Sequence, residues 1–271
     1  MYSIPAAFSD FIDLHCDRCA FIQKFLNGFG IDAPVIPMAG NNHIYVKFPL
    51  SQYSSQYRVK TVIAHYDRVP GTPGANDNSA SVFSMLQWAV RLFRGQCGGA
   101  DGVHNVRLIF SDGEELGELG VQSQGAYSLA ALFRKLNIIN DDIFVFDCMG
   151  RGNIPILTQT VLPKGVAHDF VDSFCQLERR AQMLLKSVCG DRWYSLPCNY
   201  SDNAGFIANG IPAVAITMLP ENEITDVARG IVPKTWALNH TKEDNLSSVD
   251  AGAFELTGRI LDRLGGMLSF V

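Results

Sequence analysis

The chain has 271 residues, with 22 Lys and Arg against 27 Asp and Glu for a net charge of −5, and 47% of its residues are hydrophobic. That balance excludes a disordered chain. An acidic chain with no basic stripe lacks the electrostatic footprint of a nucleic-acid binder, and no apolar run approaches the roughly 20 residues that a membrane helix needs.

In chain order, residues 8–27 carry Phe11, Ile12, Leu14, Cys19, Ile22, Phe25 and Leu26 at helical spacing, with Ser9 as N-cap and Gly28 and Gly30 as stop signals, which predicts one helix. Residues 43–48 alternate like a half-exposed strand, and 61–64 form a short, uniformly apolar strand of the buried kind. A helix over 81–93, a glycine-rich loop over 95–102, a strand over 106–110, a helix over 125–136 and a strand over 143–146 follow. A long helix over 166–188 ends before Gly190. A short helix over 204–209, a strand over 212–217 and a helix over 251–268 close the chain. Strands alternating with helices predict an α/β three-layer sandwich, with a mixed, mostly parallel central sheet flanked by helices in one domain, 1–271.

Seven cysteines, Cys16, Cys19, Cys97, Cys148, Cys175, Cys189 and Cys198, are odd in number and irregular in spacing, unlike a disulfide framework. Cys16 and Cys19 have CxxC spacing with no second pair, so they read as two half-buried thiols. With no basic start leading into an apolar stretch, the expected location is cytoplasmic. The sequons at Asn199, Asn239 and Asn245 then read as chance matches.

The acids and histidines fall just past strand ends. His65 and Asp67 follow the 61–64 run. Asp112, Glu114 and Glu115 follow 106–110, and Asp147 follows 143–146. Ligands in open α/β sheets sit beyond the carboxyl ends of the strands. Taken singly, Asp77 is a helix cap, the Glu114-Glu115 pair a solvated turn, and His240 a surface histidine. Together they gather four or five carboxylates and two imidazoles at one edge, which repel unless a cation neutralises them. Histidine with Asp and Glu, without cysteine, suits a zinc-type hydrolytic site.

Six segments in order resemble the co-catalytic zinc aminopeptidases of the M28 type, a family that also contains glutaminyl cyclases. They are Ala64-His65-Tyr66-Asp67, Gly74-Ala75-Asn76-Asp77-Asn78, Ser111 to Gly120 (SDGEELGELG), Phe146 to Gly150 (FDCMG), Ser201-Asp202-Asn203 with Gly210-Ile211-Pro212-Ala213, and Asn239 to Asp244 (NHTKED). The resemblance implies that His65 and Asp147 bind one zinc, that Glu115 and His240 bind a second, and that Asp77 bridges the two. It implies that Asp67 fixes the His65 tautomer, that Glu114 is the general base, and that a cis peptide follows Asp77. Zincs roughly 3.5–4 Å apart would acidify an attacking water, whose proton Glu114 takes and returns to the leaving amine. The expected partner is a peptide with a free N-terminus. Asp202 is expected either to contact that amine or to support a residue of the metal site from behind, with the N-cap of the 204–209 helix as the competing assignment.

The sequence departs from the family's pattern in a short interval of twelve positions from His65 to Asp77, in Asn203 where histidine is frequent, and in Gly120-Val121-Gln122-Ser123. The alternative enzyme is a glutaminyl cyclase with a single zinc held by Asp77, Glu115 and His240. A catalytically inactive binding module and a carboxypeptidase or other amidohydrolase are the further alternatives. Phe206, Met218 and Trp236 are apolar candidates for a substrate pocket, each with plain core as the competing assignment.

Overall fold

The computed structural model describes residues 4–99, 102–162 and 164–271; Ala100 and Asp101, inside the predicted 95–102 loop, and Pro163 lie outside the described residues. In chain order the strands are β1 (Val35–Met38), β2 (Asn41–Val46), β3 (Lys60–His65), β4 (Val106–Ser111), β5 (Asp142–Phe146), β6 (Ile154–Gln159), β7 (Tyr194–Pro197) and β8 (Ala213–Leu219). The helices are α1 (Phe8–Ile12), α2 (Arg18–Asn27), α3 (Ala80–Phe93), α4 (Gly125–Lys135), α5 (His168–Cys189), α6 (Asn203–Ala208), α7 (Ile224–Ala228) and α8 (Ala251–Gly266).

The strands form one sheet in the order β1-β2-β4-β3-β5-β8-β6-β7. Its centre, β4-β3-β5-β8, is parallel, and β1, β2 and β6 run antiparallel to their inner neighbours. β3, β5 and β8 are buried along their whole length, which is why they are unbroken apolar runs rather than alternating ones. Register pairs His65 with Ser111 and Ile63 with Val145, so β3, β4 and β5 end together at one edge.

Helix α8 packs on both α3 and α5, and α4 packs on α6. The main core lies between these layers and the sheet. Its N-terminal corner is aromatic: the ring of Phe83 on α3 meets those of Phe8, Phe11, Phe21 and Phe25 at centroid distances of 5.3, 5.2, 5.8 and 6.2 Å. Truncating this hub leaves four rings facing a void. Phe83→Ala is therefore expected to lower unfolding free energy by about 3–5 kcal/mol, read from chemical denaturation. A loss under about 1 kcal/mol would mean that the corner collapses to fill the space.

The predicted helix over 8–27 is two helices. Both aspartates in the break bond locally: Asp13 Oδ1 accepts from His15 N at 2.8 Å, and Asp17 Oδ1 accepts from Ala20 N at 3.0 Å, capping α2. Local side-chain acceptors of this kind compete with helix continuation. Leu14, expected on the apolar face, is 52% exposed, and α1 begins after Ala7 without a side-chain cap from Ser9. The predicted 43–48 strand sits two residues earlier, at Asn41–Val46. All seven cysteines are free, with Cys16 and Cys19 half-buried.

Candidate metal centre

The edge where β3, β4 and β5 end collects the predicted residues. His65 is the last residue of β3, and its ring is fully buried. Its Nε2 lies 3.3 Å from Asp77 Oδ1 and 3.6 Å from Asp147 Oδ1. His240 Nε2 lies 3.3 Å from Asp77 Oδ2 and 3.0 Å from Glu115 Oε2. Two triads result, His65-Asp77-Asp147 and Asp77-Glu115-His240, each with its candidate ligand atoms within 4.8 Å of one another. Asp77 belongs to both through different oxygens.

The loops that bring these groups together are tied by backbone hydrogen bonds. Asp77 sits in the turn before α3, and its peptide with Asn78 is cis, as the resemblance implies. Asn78 Nδ2 donates to Phe146 O at 2.9 Å and its Oδ1 accepts from Cys148 N at 3.1 Å, so it brackets Asp147. Asn76 Oδ1 accepts from Gly150 N at 2.9 Å. From the far end of the chain, the buried Asp244 accepts from the backbone N–H of Asn76 at 2.7 Å and of Asp77 at 3.0 Å. Gly74 is left-handed at φ 58°, and a Cβ there would sit 2.6 Å from the Asp77 carbonyl oxygen, so only glycine fits the approach.

Asp67 is the knot between two strand ends. Its Oδ1 lies 3.3 Å from His65 Nδ1, and the same carboxylate accepts the backbone N–H of Glu114 at 3.2 Å and of Glu115 at 3.0 Å. One side chain thereby orients an imidazole and fixes the turn that presents both glutamates. Glu114 Oε1 accepts from Gln124 Nε2 at 2.9 Å. Burial, reinforced by Asp147, Asp202 and Asp77, holds the Glu114 carboxyl well above its usual range despite the opposing pull of His65.

A divalent cation fits the chemistry of this cluster. His65 Nε2 and Asp147 Oδ1 are buried with no hydrogen-bond partner, and both face Asp77. Tetrahedral zinc with bonds of about 2.0–2.1 Å places neighbouring ligand atoms about 3.3 Å apart. The four contacts within the triads are 3.0 to 3.6 Å. The donors are nitrogen and oxygen only, as zinc sites of the hydrolytic kind use.

A cavity of about 530 Å³ opens beside the triads. Asp77, Glu114, Asp147 and His240 form its polar end, and Val227, Ile231, Val232, Pro233 and Trp236 form an apolar wall. No Lys or Arg is among the described residues that line it. Of the apolar candidates, Trp236 is on the cavity wall, whereas Phe206 and Met218 are fully buried core residues.

Asp202 lies behind the wall rather than on it. It is fully buried, its Oδ2 accepts from the Ser111 hydroxyl, and Ser201 is the neighbour that lines the cavity. Burial pushes its carboxyl up to about 7. It makes no capping hydrogen bond to α6. Asp202 thus occupies the N-cap position of α6 without capping it through its side chain, and its carboxylate is turned to Ser111 at the end of β4. Asp112 also stays out of the cluster, accepting from Asn42 N at 2.8 Å. Asp244 and Gln124 were not singled out by sequence reasoning; Asp244 stood within the quoted NHTKED segment, whereas Gln124 carries no local signal.

Comparison with known proteins gives the chain's family and fold. Over 212 residues the chain is 29% identical to the probable lipoprotein aminopeptidase LpqL of Mycobacterium tuberculosis, covering 72% of this chain and 39% of that protein. The chain thus spans about two-fifths of the length of this curated relative. Among solved structures, a leucine aminopeptidase precursor from Bacteroides thetaiotaomicron matches with a TM-score of 0.67 at 16% identity, covering 97% of this chain and 98% of that one. A Porphyromonas gingivalis glutaminyl cyclase matches with a TM-score of 0.66 at 15% identity, over 97% of each chain. The Bacillus subtilis zinc aminopeptidase BSAP matches with a TM-score of 0.58 at 19% identity, covering 82% of this chain and 48% of that one. At such identities these structures speak for the fold. The family model of peptidase family M28 matches residues 44–264, most of the chain and all five triad residues, and the chain belongs to that family.

Proposed function

We propose that the protein is a zinc-dependent aminopeptidase that removes the N-terminal residue from peptides. The observation that carries this reading is the pair of triads sharing Asp77 beside a cavity that no Lys or Arg lines among the described residues. His65 and Asp147 would hold one ion, Glu115 and His240 the other, and Asp77 both. Bound zinc supplies Lewis-acid polarisation of the scissile carbonyl and acidifies the attacking water.

The chain's own residues do the rest. Glu114, which lines the cavity, would take a proton from the attacking water and hand it to the leaving amine. Asp67 keeps His65 in one orientation through Nδ1, leaving Nε2 for the ion. The cavity is lined by carboxylates and apolar groups, so it suits a free ammonium followed by an apolar side chain. A C-terminal carboxylate would find no Lys or Arg among the described lining residues, which weighs against a carboxypeptidase.

The test is a panel of aminoacyl-nitroanilides and a Gln-peptide, run with and without chelator. Chelator-sensitive release of apolar N-terminal residues is expected, with acidic ones cleaved poorly. Conversion of the Gln-peptide to pyroglutamate with one equivalent of zinc would replace this reading with the cyclase. Absence of turnover on every substrate by metal-loaded protein would favour the inactive binding module.

A further inference from the structure

We infer that Arg18, on the N-terminal segment that the family match does not reach, is a positioning residue for the metal centre, and that it governs the His65-Asp77-Asp147 triad more than the other. The inference rests on the metal-centre reading above.

Arg18 is the first residue of α2, placed there by the Asp17 cap. It is 6% exposed, and its guanidinium lies over the Phe11 ring at 4.8 Å. A buried guanidinium needs acceptors. Nε of Arg18 is left without one, and every acceptor that Nη1 and Nη2 find lies on the interval between His65 and the start of α3. Nη1 donates to Tyr66 O at 2.9 Å and to Asp67 O at 3.2 Å. Nη2 donates to Pro73 O at 2.7 Å and to Ser79 Oγ at 2.8 Å. The first pair of acceptors immediately follows His65. The second pair flanks the turn that carries Asp77. One planar fork therefore fixes the distance between the two ends of the interval.

The grip is mutual. Arg68, inside the same interval, donates back to Ile12 O at 3.0 Å and Asp13 O at 2.8 Å at the end of α1. The two helices that replaced the single predicted one thus clamp the loop from outside the sheet. His65 and Asp77 both lie at the ends that Arg18 spans, and both belong to the first triad. The second triad receives only Asp77 from this loop, while Glu115 and His240 are carried elsewhere. Lysine at 18 would present one point of charge in place of a fork and could not bridge both ends.

The experiment titrates wild type, Arg18→Lys and Arg18→Met with Zn²⁺ against a chromophoric chelator, and records the Co²⁺ absorption spectrum and the melting temperature of the metal-free protein. The expected result is a loss of about 10–100-fold in affinity at one of the two sites, the range for groups that orient ligands, with the other site changed less. Lysine should lose less than methionine, and melting of the metal-free lysine variant should stay near wild type. Unchanged affinity at both sites in Arg18→Met would overturn the inference. So would equal weakening of both sites accompanied by a matching fall in melting temperature, which marks a general structural role. Wild-type protein that binds no divalent ion would instead overturn the metal-centre reading itself.

Discussion

Glu114→Gln is expected to keep its full complement of zinc while kcat falls by about 10²–10⁴-fold, the usual contribution of a positioned general base. The replacement is nearly isosteric. Its amide oxygen can still accept from Gln124 Nε2, as the carboxylate does at 2.9 Å. The neighbouring Glu115 keeps its contact with His240 Nε2 at 3.0 Å. What disappears is the ability to accept a proton. Because that proton moves in the transition state, KM should change little while kcat and kcat/KM fall together. Metal analysis alongside steady-state kinetics checks both halves. A variant that retains wild-type kcat removes Glu114 from the role of base; one that also loses its zinc shows that the side chain matters for binding ions instead.

Asp77→Asn should damage more of the centre than any other single change. Its two carboxylate oxygens face different histidines, Oδ1 toward His65 and Oδ2 toward His240, each at 3.3 Å. An amide offers one oxygen and no charge, so one triad loses its shared anionic donor and the other gains an NH₂ in its place. Both zinc affinities are expected to drop by at least about 100-fold, beyond the 10–100-fold range for groups that merely orient ligands. Asp147→Asn supplies the contrast, since Asp147 stands only in the triad with His65. It should weaken one site and leave the other close to wild type. Titration of both variants with Zn²⁺ against a competing chelator distinguishes the outcomes. Equal weakening of both sites by Asp147→Asn would show that the ligand pairing is wrong.

Much of this centre was legible in the sequence because the informative residues follow unbroken apolar runs. β3 and β5 read as buried strands and β4 and β8 as strands, and His65, Glu114, Glu115 and Asp147 fall at or shortly after the ends of β3, β4 and β5. The strands that escaped notice share one cause. β1, β6 and β7 each contain proline, at Pro37, Pro155 and Pro197, which reads as a breaker within a strand pattern. β1 and β7 tolerate it as the two edges of the sheet. In β6, Pro155 stands at the second position, close to where the strand begins. The N-terminal helix misled for a different reason, since its apolar spacing runs on through a break that Asp13 and Asp17 create by capturing nearby backbone N–H groups. Arg18, Asp244 and Gln124 were harder still. Each acts through contacts with residues distant in the chain, and no local pattern marks a polar side chain whose partners are carbonyls, amides or a carboxylate 10 to 168 positions away.

The far wall of the cavity stands on a separate foundation from the rest of the molecule. Val227 belongs to a small apolar cluster with Ile154, Ile156, Leu219 and Ile224, and Trp236 packs against that cluster rather than the main core. Side chains there can change size without opening voids beneath α3, β3 or the aromatic corner. Changes to this wall would therefore reshape the cavity while leaving the packing of the main core as it is. Such a division would let one scaffold diversify in what its cavity accepts.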